Sequence, residues 1–256
     1  MTVVVAFLCS DGVVVAADSM LTPFVGNMGV GHHKGKKVDV LTGTQVFSFA
    51  GDLGQASRFK IVADASHAQI TAAAHPIHYP LNITQQLIAQ FQVTGILGAI
   101  NLSTILAYPH AGKFQCCVFE SLLQPRLLDH HHYYVALGSG KLGADPFLRF
   151  LVDTFCENGP PTVREAVFLA TWAVQHVIDT NAGGVDGPIR IAVLEKDGAG
   201  NFVGRELQDT EIDTQQEVVT SAKAALKEWK NGIYSGRAAE GVPPPPSLPL
   251  SSPSGG

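Results

Sequence analysis

A threonine directly after the first methionine is the residue of this chain most suited to catalysis. Thr2 runs at once into the apolar segment VVVAFL, which is followed by a turn at 10–12 and a second apolar run, Val13 to Ala17, ending at Asp18. This pattern predicts a β-hairpin that starts at residue 2. Because chain termini usually fray unless something ties them down, a terminus held in a fixed place is typical of one that has a function.

An amino-terminal threonine is a nucleophile that carries its own base. Once Met1 is removed, the α-amino group of Thr2 can take the hydroxyl proton as the oxygen attacks a carbonyl carbon. The amine titrates near ~7.7–8.0, so a sizeable fraction is already neutral near pH 7. A nearby lysine ammonium would favour the neutral amine, and an aspartate would hold that lysine charged and in place. Threonine is small enough for a methionine aminopeptidase to remove Met1, so we expect no propeptide.

Asp18 and a group of three lysines are the candidates for these supporting roles. Lys34, Lys36 and Lys37 follow a glycine-rich loop and precede the strand pattern VDVL. Lys36 would point to the other face of a strand from Lys37. Structural alternatives exist for every assignment: Thr2 could simply start a strand, Asp18 could cap a turn, and the lysines could form a solvated face.

The predicted elements that must position these residues follow in the order strands, two helices, strands, two helices, strands. The predicted helices cover residues 53–74, 82–96, 142–155 and 162–179. This order favours helices layered on antiparallel sheets over alternating β-α-β winding. We predict a domain over residues 1–212, a helical extension over 213–234 with Trp229 as an apolar anchor, and a disordered Pro/Ser/Gly-rich tail over 235–256.

Composition excludes several functional classes. The 256 residues carry a net charge of −5, which provides no basic surface for nucleic acid. No apolar run reaches the ~18 residues that a membrane span requires, and the first residues lack a signal-peptide pattern, so we expect a cytoplasmic protein. Only 15% of residues are charged, which favours burial of part of the surface in an oligomer.

Neither the cysteines nor the histidines form a recognisable metal or redox motif. The four cysteines lack CxxC spacing and are interpreted as reduced core thiols, with the adjacent Cys116 and Cys117 on opposite faces of a strand. Histidines cluster at 32–33, 75–78 and 130–132, but consecutive histidines on a strand make a poor set of ligands. The GSGKLG segment lacks the spacing of a phosphate-binding loop. We therefore expect no metal and no cofactor.

The opening segment TVVVAFLCSDGVVVAADS resembles the start of proteasome β-type subunits and of the bacterial ring peptidase HslV. KKVDVL, VFSFAGDLGQA and YYVALGSG continue the resemblance in the same order, over residues 2–196. The bacterial proteasome homologues called BPH and Anbu are the groups that it resembles most. The resemblance implies an α+β fold, the four-layer αββα sandwich of N-terminal nucleophile (Ntn) hydrolases, assembled into rings.

The resemblance also implies catalytic roles. Thr2 corresponds to the nucleophile, Asp18 to the aspartate that ends the second strand, and Gly51 of FAGD to the backbone N–H donor of the oxyanion hole. Lys37 directly precedes VDVL, as the family lysine does, and is therefore favoured over Lys34.

Two further residues complete the implied site. Ser139 of GSGK corresponds to a serine near the threonine amine, and Asp179 to an auxiliary aspartate that orients it. The family often has a second serine three residues later, where this chain has Ala182. This departure puts the proton relay in doubt.

A substrate pocket is implied beside the nucleophile. The residues that correspond to its lining are Leu21, Phe49 and Leu53, with Met20 nearby. The one acidic residue among them is Asp39, which lies on the neighbouring strand. These residues predict a preference for apolar side chains on the acyl side of the cleaved bond.

The sequence therefore predicts a threonine-type endopeptidase subunit that forms a homo-oligomeric ring, single or stacked, and cleaves peptides or unfolded proteins. Two alternatives stay open: a non-catalytic ring scaffold and an Ntn amidase that acts on a non-peptide substrate. Inactive β-type subunits usually lose the threonine, and this chain keeps it. Whether an ATP-dependent unfoldase docks on the ring stays open as well.

Overall fold

Two five-stranded antiparallel sheets form the centre of the part of the chain that the structure describes. The structure is a computed structural model and describes residues 2–25, 28–95, 100–181 and 184–234. In spatial order the first sheet contains β12 (Tyr134–Leu137), β1 (Val4–Leu8), β2 (Val13–Ala17), β13 (Arg190–Lys196) and β14 (Phe202–Glu206). The second contains β11 (Gln124–Leu127), β10 (Lys113–Glu120), β9 (Leu102–His110), β8 (Gln45–Gly51) and β7 (Val38–Leu41).

Two short ribbons lie between β2 and β7 in the sequence. The first pairs β3 (Met20–Leu21) with β6 (His33–Lys34), and the second pairs β4 (Phe24–Val25) with β5 (Met28–Gly29).

Helices cover the outer faces of the two sheets. Those of the first unit are α1 (Leu53–Ala65), α2 (Gln69–Ala72), α3 (His78–Val93), α4 (Lys141–Phe155) and α5 (Val163–Thr180). One apolar cluster fills the space between the sheets, including Val4, Val15 and Ile105. A second cluster, including Phe47 and Leu87, lies between the second sheet and α1 and α3. The helix α5 packs on β1 and β2, so the predicted four-layer αββα sandwich is confirmed.

Strand alternation accounts for the two clusters. Adjacent residues of a strand point to opposite faces, so Cys116 lies between the sheets and Cys117 lies on the helix side, as predicted. All four cysteines are free thiols.

Helix boundaries differ from the predicted ones where local capping decides. The predicted helix over 53–74 is divided into α1 and α2, and Ser66 is the C-cap residue of α1. The helix α3 begins at His78 rather than at residue 82, and its Pro80 falls in the first turn, where a missing N–H costs nothing. The helix α5 begins at the predicted place, where Thr162 is the N-cap and forms a capping box with Glu165.

The chain divides into two compact units between Leu207 and Gln208. The described part of the second unit contains the helix α6 (Asp209–Tyr234), which begins four residues before the predicted start at residue 213. Its start is stabilised by the Glu211 carboxylate, which accepts a hydrogen bond from the Gln208 N–H at 2.8 Å. The predicted tail, residues 235–256, lies outside the described residues. No described helix is long and apolar enough to cross a membrane.

Candidate active site

Thr2 is held at the end of the first sheet by hydrogen bonds on both sides of its backbone. Its carbonyl oxygen accepts from the Gly140 N–H at 2.9 Å. The next residue, Val3, donates its N–H to Asp18 Oδ1 at 2.9 Å and accepts from the Asp18 N–H at 3.2 Å. The hairpin of β1 and β2 thus fixes the position of Thr2, which stays partly exposed.

Asp18 follows β2 directly and is fully buried. Its carboxylate accepts two backbone hydrogen bonds, one from Val3 and one from Met20 at 3.0 Å. Lys37 Nζ lies 2.8 Å from both carboxylate oxygens. A buried carboxylate whose oxygens accept this many hydrogen bonds is held in a fixed position, where it can bind a cation.

Lys37 connects that anchor to the threonine hydroxyl. Its side chain is fully buried, and Nζ donates to Thr2 Oγ1 at 3.0 Å. Burial lowers the pKa of the Lys37 ammonium, and the charge and hydrogen bonds of Asp18 oppose that shift. Lys34 is instead exposed on β6, and Lys36 forms ion pairs with Asp39 and Glu206. Of the three lysines, Lys37 is therefore the one that reaches Thr2.

The connection between β12 and α4 lies against the backbone of Thr2. The Thr2 backbone nitrogen donates to Ser139 Oγ at 3.2 Å. Gly138 has φ +84°, and a Cβ there would lie 2.2 Å from the Thr2 carbonyl oxygen. A Cβ on Gly140 would lie 2.8 Å from the Val3 side chain. The GSG segment therefore needs its glycines because two backbones approach closely.

Gly51 ends β8 next to this connection. It has φ +114°, and a Cβ there would lie 2.1 Å from the Asn101 carbonyl oxygen. The preceding residue, Ala50, would be 3.2 Å from a Cβ on Gly138, which places the end of β8 beside the chain segment of Thr2. A role for the Gly51 N–H as oxyanion donor stays a prediction.

Asp179 lies in the last turn of α5 and is exposed. Its carboxylate accepts a hydrogen bond from Gln175 at 2.7 Å. Its proposed role in orienting Ser139 stays a prediction, and Ala182 lies outside the described residues.

The four residues predicted to line a substrate pocket lie on three elements. Met20 is buried on β3, and Leu21 is partly exposed and packs tightly on Gly35. Phe49 is buried in the aromatic core of the helix side, and Leu53, the first residue of α1, is half exposed. Contact of these side chains with a substrate stays a prediction.

Sequence reasoning missed the close approach of Gly138 and a charge network around Asp39. The Asp39 carboxylate binds Lys60 as well as Lys36, and no spacing rule connects a lysine on α1 to an aspartate 21 residues earlier. The GSG motif was the one sequence signal that could have predicted the close approach of Gly138.

Among the described residues, no group of three or more His, Cys, Asp or Glu side chains is placed to hold a metal ion.

Comparisons with known proteins identify the fold. No protein-family model matches the chain, and no curated protein matches its sequence. Among solved structures, 599 chains match it. One is a variant of Anbu from Hyphomicrobium sp. strain MC1, with a TM-score of 0.68 and 17% sequence identity over 92% of this chain and 97% of that chain. At this identity the likeness shows the fold alone, which is the proteasome-like fold of Ntn hydrolases.

Proposed function

We propose that this chain is the subunit of a threonine-type endopeptidase in which Thr2 is the nucleophile. The observation that carries the proposal is the position of Lys37 Nζ, 3.0 Å from Thr2 Oγ1 and 2.8 Å from the buried Asp18 carboxylate. Apolar residues in place of both Asp18 and Lys37 would often stabilise a fold as well as a buried ion pair does, so the presence of this pair beside a hydroxyl supports a chemical role. The proteasome-like fold gives independent support.

The reaction begins with Thr2 Oγ1. A free Thr2 amine takes the hydroxyl proton, and the oxygen attacks the carbonyl carbon of the peptide bond. The positive charge of Lys37 stabilises the developing alkoxide, and the Gly51 N–H donates to the oxyanion of the tetrahedral intermediate. The amine then gives its proton to the leaving nitrogen, and an ester on Thr2 remains. Water, deprotonated by the same amine, hydrolyses the ester.

The proposed mechanism requires that whatever precedes Thr2 is removed. In this chain Met1 precedes it, and its removal converts the Thr2 nitrogen from an amide into an amine. Ser139 Oγ accepts a hydrogen bond from that nitrogen at 3.2 Å, which supports the proposal that the two groups exchange a proton during the reaction.

Self-association into a ring is the second part of the proposal. The helix α4 exposes 89% of Leu142 and 53% of Phe150. Large apolar side chains that are exposed on an outer helix are frequent at protein–protein interfaces. We infer that α4 contributes to a contact between copies of this chain.

The test compares the parent protein with Thr2→Ala and with Thr71→Ala, a matched change at an exposed threonine of α2. Fluorogenic peptides report turnover, and sedimentation reports assembly. We expect Thr2→Ala to abolish turnover and to leave the assembly unchanged, because a single hydroxyl contributes little to packing. We expect Thr71→Ala to behave like the parent. An assembled Thr2→Ala protein with parental turnover would show that the nucleophile lies elsewhere, and an assembled parent without turnover would support the ring scaffold.

A further inference from the structure

Ser19, the residue that follows Asp18, has all of its polar groups in hydrogen bonds. Its N–H donates to the Asp186 carbonyl at 3.1 Å, and its hydroxyl donates to the Pro188 carbonyl at 2.5 Å. Its own carbonyl accepts from the Gly35 N–H at 2.7 Å, and the residue is only 3% exposed. Three segments of the chain therefore meet at Ser19.

The segment of Ser19 itself carries Asp18. The Met20 N–H, one residue beyond Ser19, donates to Asp18 Oδ2 at 3.0 Å, and the Val3 N–H donates to Oδ1 at 2.9 Å. The Met20 N–H belongs to the peptide unit that joins Ser19 to Met20. Because that unit holds one oxygen of Asp18, the carboxylate follows any movement of the backbone at Ser19.

The second segment carries Lys37, which follows Gly35 by two residues. The ribbon of β3 and β6 lies directly beside this contact. The peptide unit between Ser19 and Met20 binds Gly35 through its oxygen and Asp18 through its N–H. This one unit therefore aligns the chain that carries the lysine with the chain that carries the aspartate.

The third segment leads into β13 and is the one that the Ser19 side chain contacts. Arg190 of β13 is paired with Ala17, the last residue of β2. Beyond that pair, the N–H and the hydroxyl of Ser19 continue the contact between the two chains. The hydroxyl bond to Pro188 thus ties Ser19, and with it the peptide unit that follows, to the first sheet.

The position of this peptide unit matters because the charges that it aligns are buried. The side chains of Asp18 and Lys37 are both 0% exposed, with Lys37 Nζ 2.8 Å from the carboxylate. Little water screens two such charges, so their attraction depends strongly on their separation. A displacement of Lys37 also changes the 3.0 Å contact of its Nζ with Thr2 Oγ1.

We infer that Ser19 is a positioning residue whose hydroxyl holds Asp18 and Lys37 in the arrangement that Thr2 requires. It acts through the backbone at 19–20 rather than on the substrate. A serine that only filled space at this buried position could be replaced by alanine without an effect on catalysis. The inference rests on the proposed function, because it gives Ser19 a part in the reaction of Thr2.

The kinetic test compares Ser19→Ala with Ser19→Thr, which keeps the hydroxyl. Ser10→Ala is the matched control, because the Ser10 hydroxyl also donates to a proline carbonyl, that of Pro161 at 3.4 Å, at the other end of the β1–β2 hairpin. We expect Ser19→Ala to lower kcat by about tenfold with KM unchanged, since displacement of a catalytic group by about 1 Å can cost about 100-fold. Ser19→Thr and Ser10→Ala should keep the parental kcat.

The pH profile is a readout that a purely structural role would not change. The Lys37 ammonium disfavours protonation of a free Thr2 amine, so a displaced Lys37 raises the pKa of that amine. We therefore expect the acidic limb of kcat/KM to move to higher pH in Ser19→Ala. The limb should keep its parental position in Ser19→Thr and in Ser10→Ala.

A stability cycle tests the same contact without catalysis. Urea unfolding is measured for the parent, Ser19→Ala, Lys37→Met and the double variant. The loss of unfolding free energy caused by Ser19→Ala should be smaller when residue 37 is Met, because the buried ion pair that Ser19 positions is then absent. If Ser19→Ala does not fold, Ser19→Cys, which keeps the bulk but is a weaker donor, takes its place.

The two kinds of measurement separate this inference from the proposed catalysis. If the parent cleaves no peptide, the proposed function fails, while the stability cycle still tests whether Ser19 positions the buried pair. Additive losses in the cycle, or a Ser19→Ala enzyme with the parental kcat and acidic limb, would overturn the inference.

Discussion

Lys37 Nζ and Thr2 Oγ1 lie 3.0 Å apart although 35 positions separate the two residues in the sequence. The contact exists because β1 and β2 bring Thr2 to Asp18, and the strand that follows Lys37 runs along the second sheet. Asp18, buried on every side, then fixes the ammonium. Asp18 therefore positions Lys37, and Lys37 in turn contacts the Thr2 hydroxyl.

Lys37→Met should destabilise the fold as well as stop catalysis. The change leaves the buried Asp18 carboxylate without its cation, which costs about 3–5 kcal/mol in the free energy of unfolding. Urea unfolding measures this, and Asp18→Asn in the same chain should restore part of the loss without restoring peptide turnover. Lys34→Met is the control, since Lys34 is exposed and its replacement should change stability by no more than about 0.5 kcal/mol. Equal stabilities for the two lysine variants would show that Asp18 does not depend on Lys37.

Gly138→Ala should displace Thr2. The new Cβ would lie 2.2 Å from the Thr2 carbonyl oxygen, so the backbone must shift, and the shift moves the hydroxyl away from Lys37. We expect turnover to fall by about 100-fold, since small misplacements of a nucleophile have effects of this size. Gly112→Ala is a matched control, because Gly112 also has a positive φ, +76°, and has nothing within 4 Å of its Cβ position. A Gly138→Ala enzyme as active as Gly112→Ala would contradict the role of this close approach.

Asp39 should make the protein sensitive to acid. Its pKa is lowered in the folded state by Lys60 and Lys36, whose hydrogen bonds outweigh the opposing effect of burial. The stability that it contributes is therefore fully present above the unfolded value of about 3.9 and is lost as the pH falls through the lower, folded value. Urea unfolding between pH 6 and pH 2 should show a smaller loss for Asp39→Asn than for the parent below about pH 4. Parallel curves for the two proteins would rule out this contribution.

Phe150→Glu should weaken self-association. The side chain is 53% exposed on α4, and a carboxylate there cannot be buried against a second copy without a large desolvation cost. Sedimentation velocity should show a shift toward smaller species at equal concentration. Ile61→Glu is the control, because Ile61 is 69% exposed on α1, on the opposite side of the sandwich. If Ile61→Glu dissociates the protein and Phe150→Glu does not, the contact involves α1 rather than α4.

Local patterns in the sequence predict the hairpin, the start of α5 at residue 162 and the layering of helices on antiparallel sheets, because each depends on neighbouring residues or on strand alternation. The four-layer αββα order came from the resemblance to proteasome β-type subunits. The end of α1 at Ser66 could not be predicted, since no glycine or proline marks it. The contact of Lys37 rather than Lys34 with Thr2 depends on how two sheets stack. The pair of Asp39 and Lys60 likewise depends on the placement of α1 against an edge strand, which no local pattern encodes.

The measurement that tests the central claim most directly is mass spectrometry of the protein after reaction with a peptide epoxyketone. The ketone carbon of this probe can bond a threonine hydroxyl, and its epoxide can bond a free amine on the same residue. We predict a chain that lacks Met1 and carries one probe molecule on Thr2, with no adduct on Thr2→Ala. A chain that keeps Met1, or an active protein that carries the probe on another residue, would contradict the assignment of Thr2 as the nucleophile.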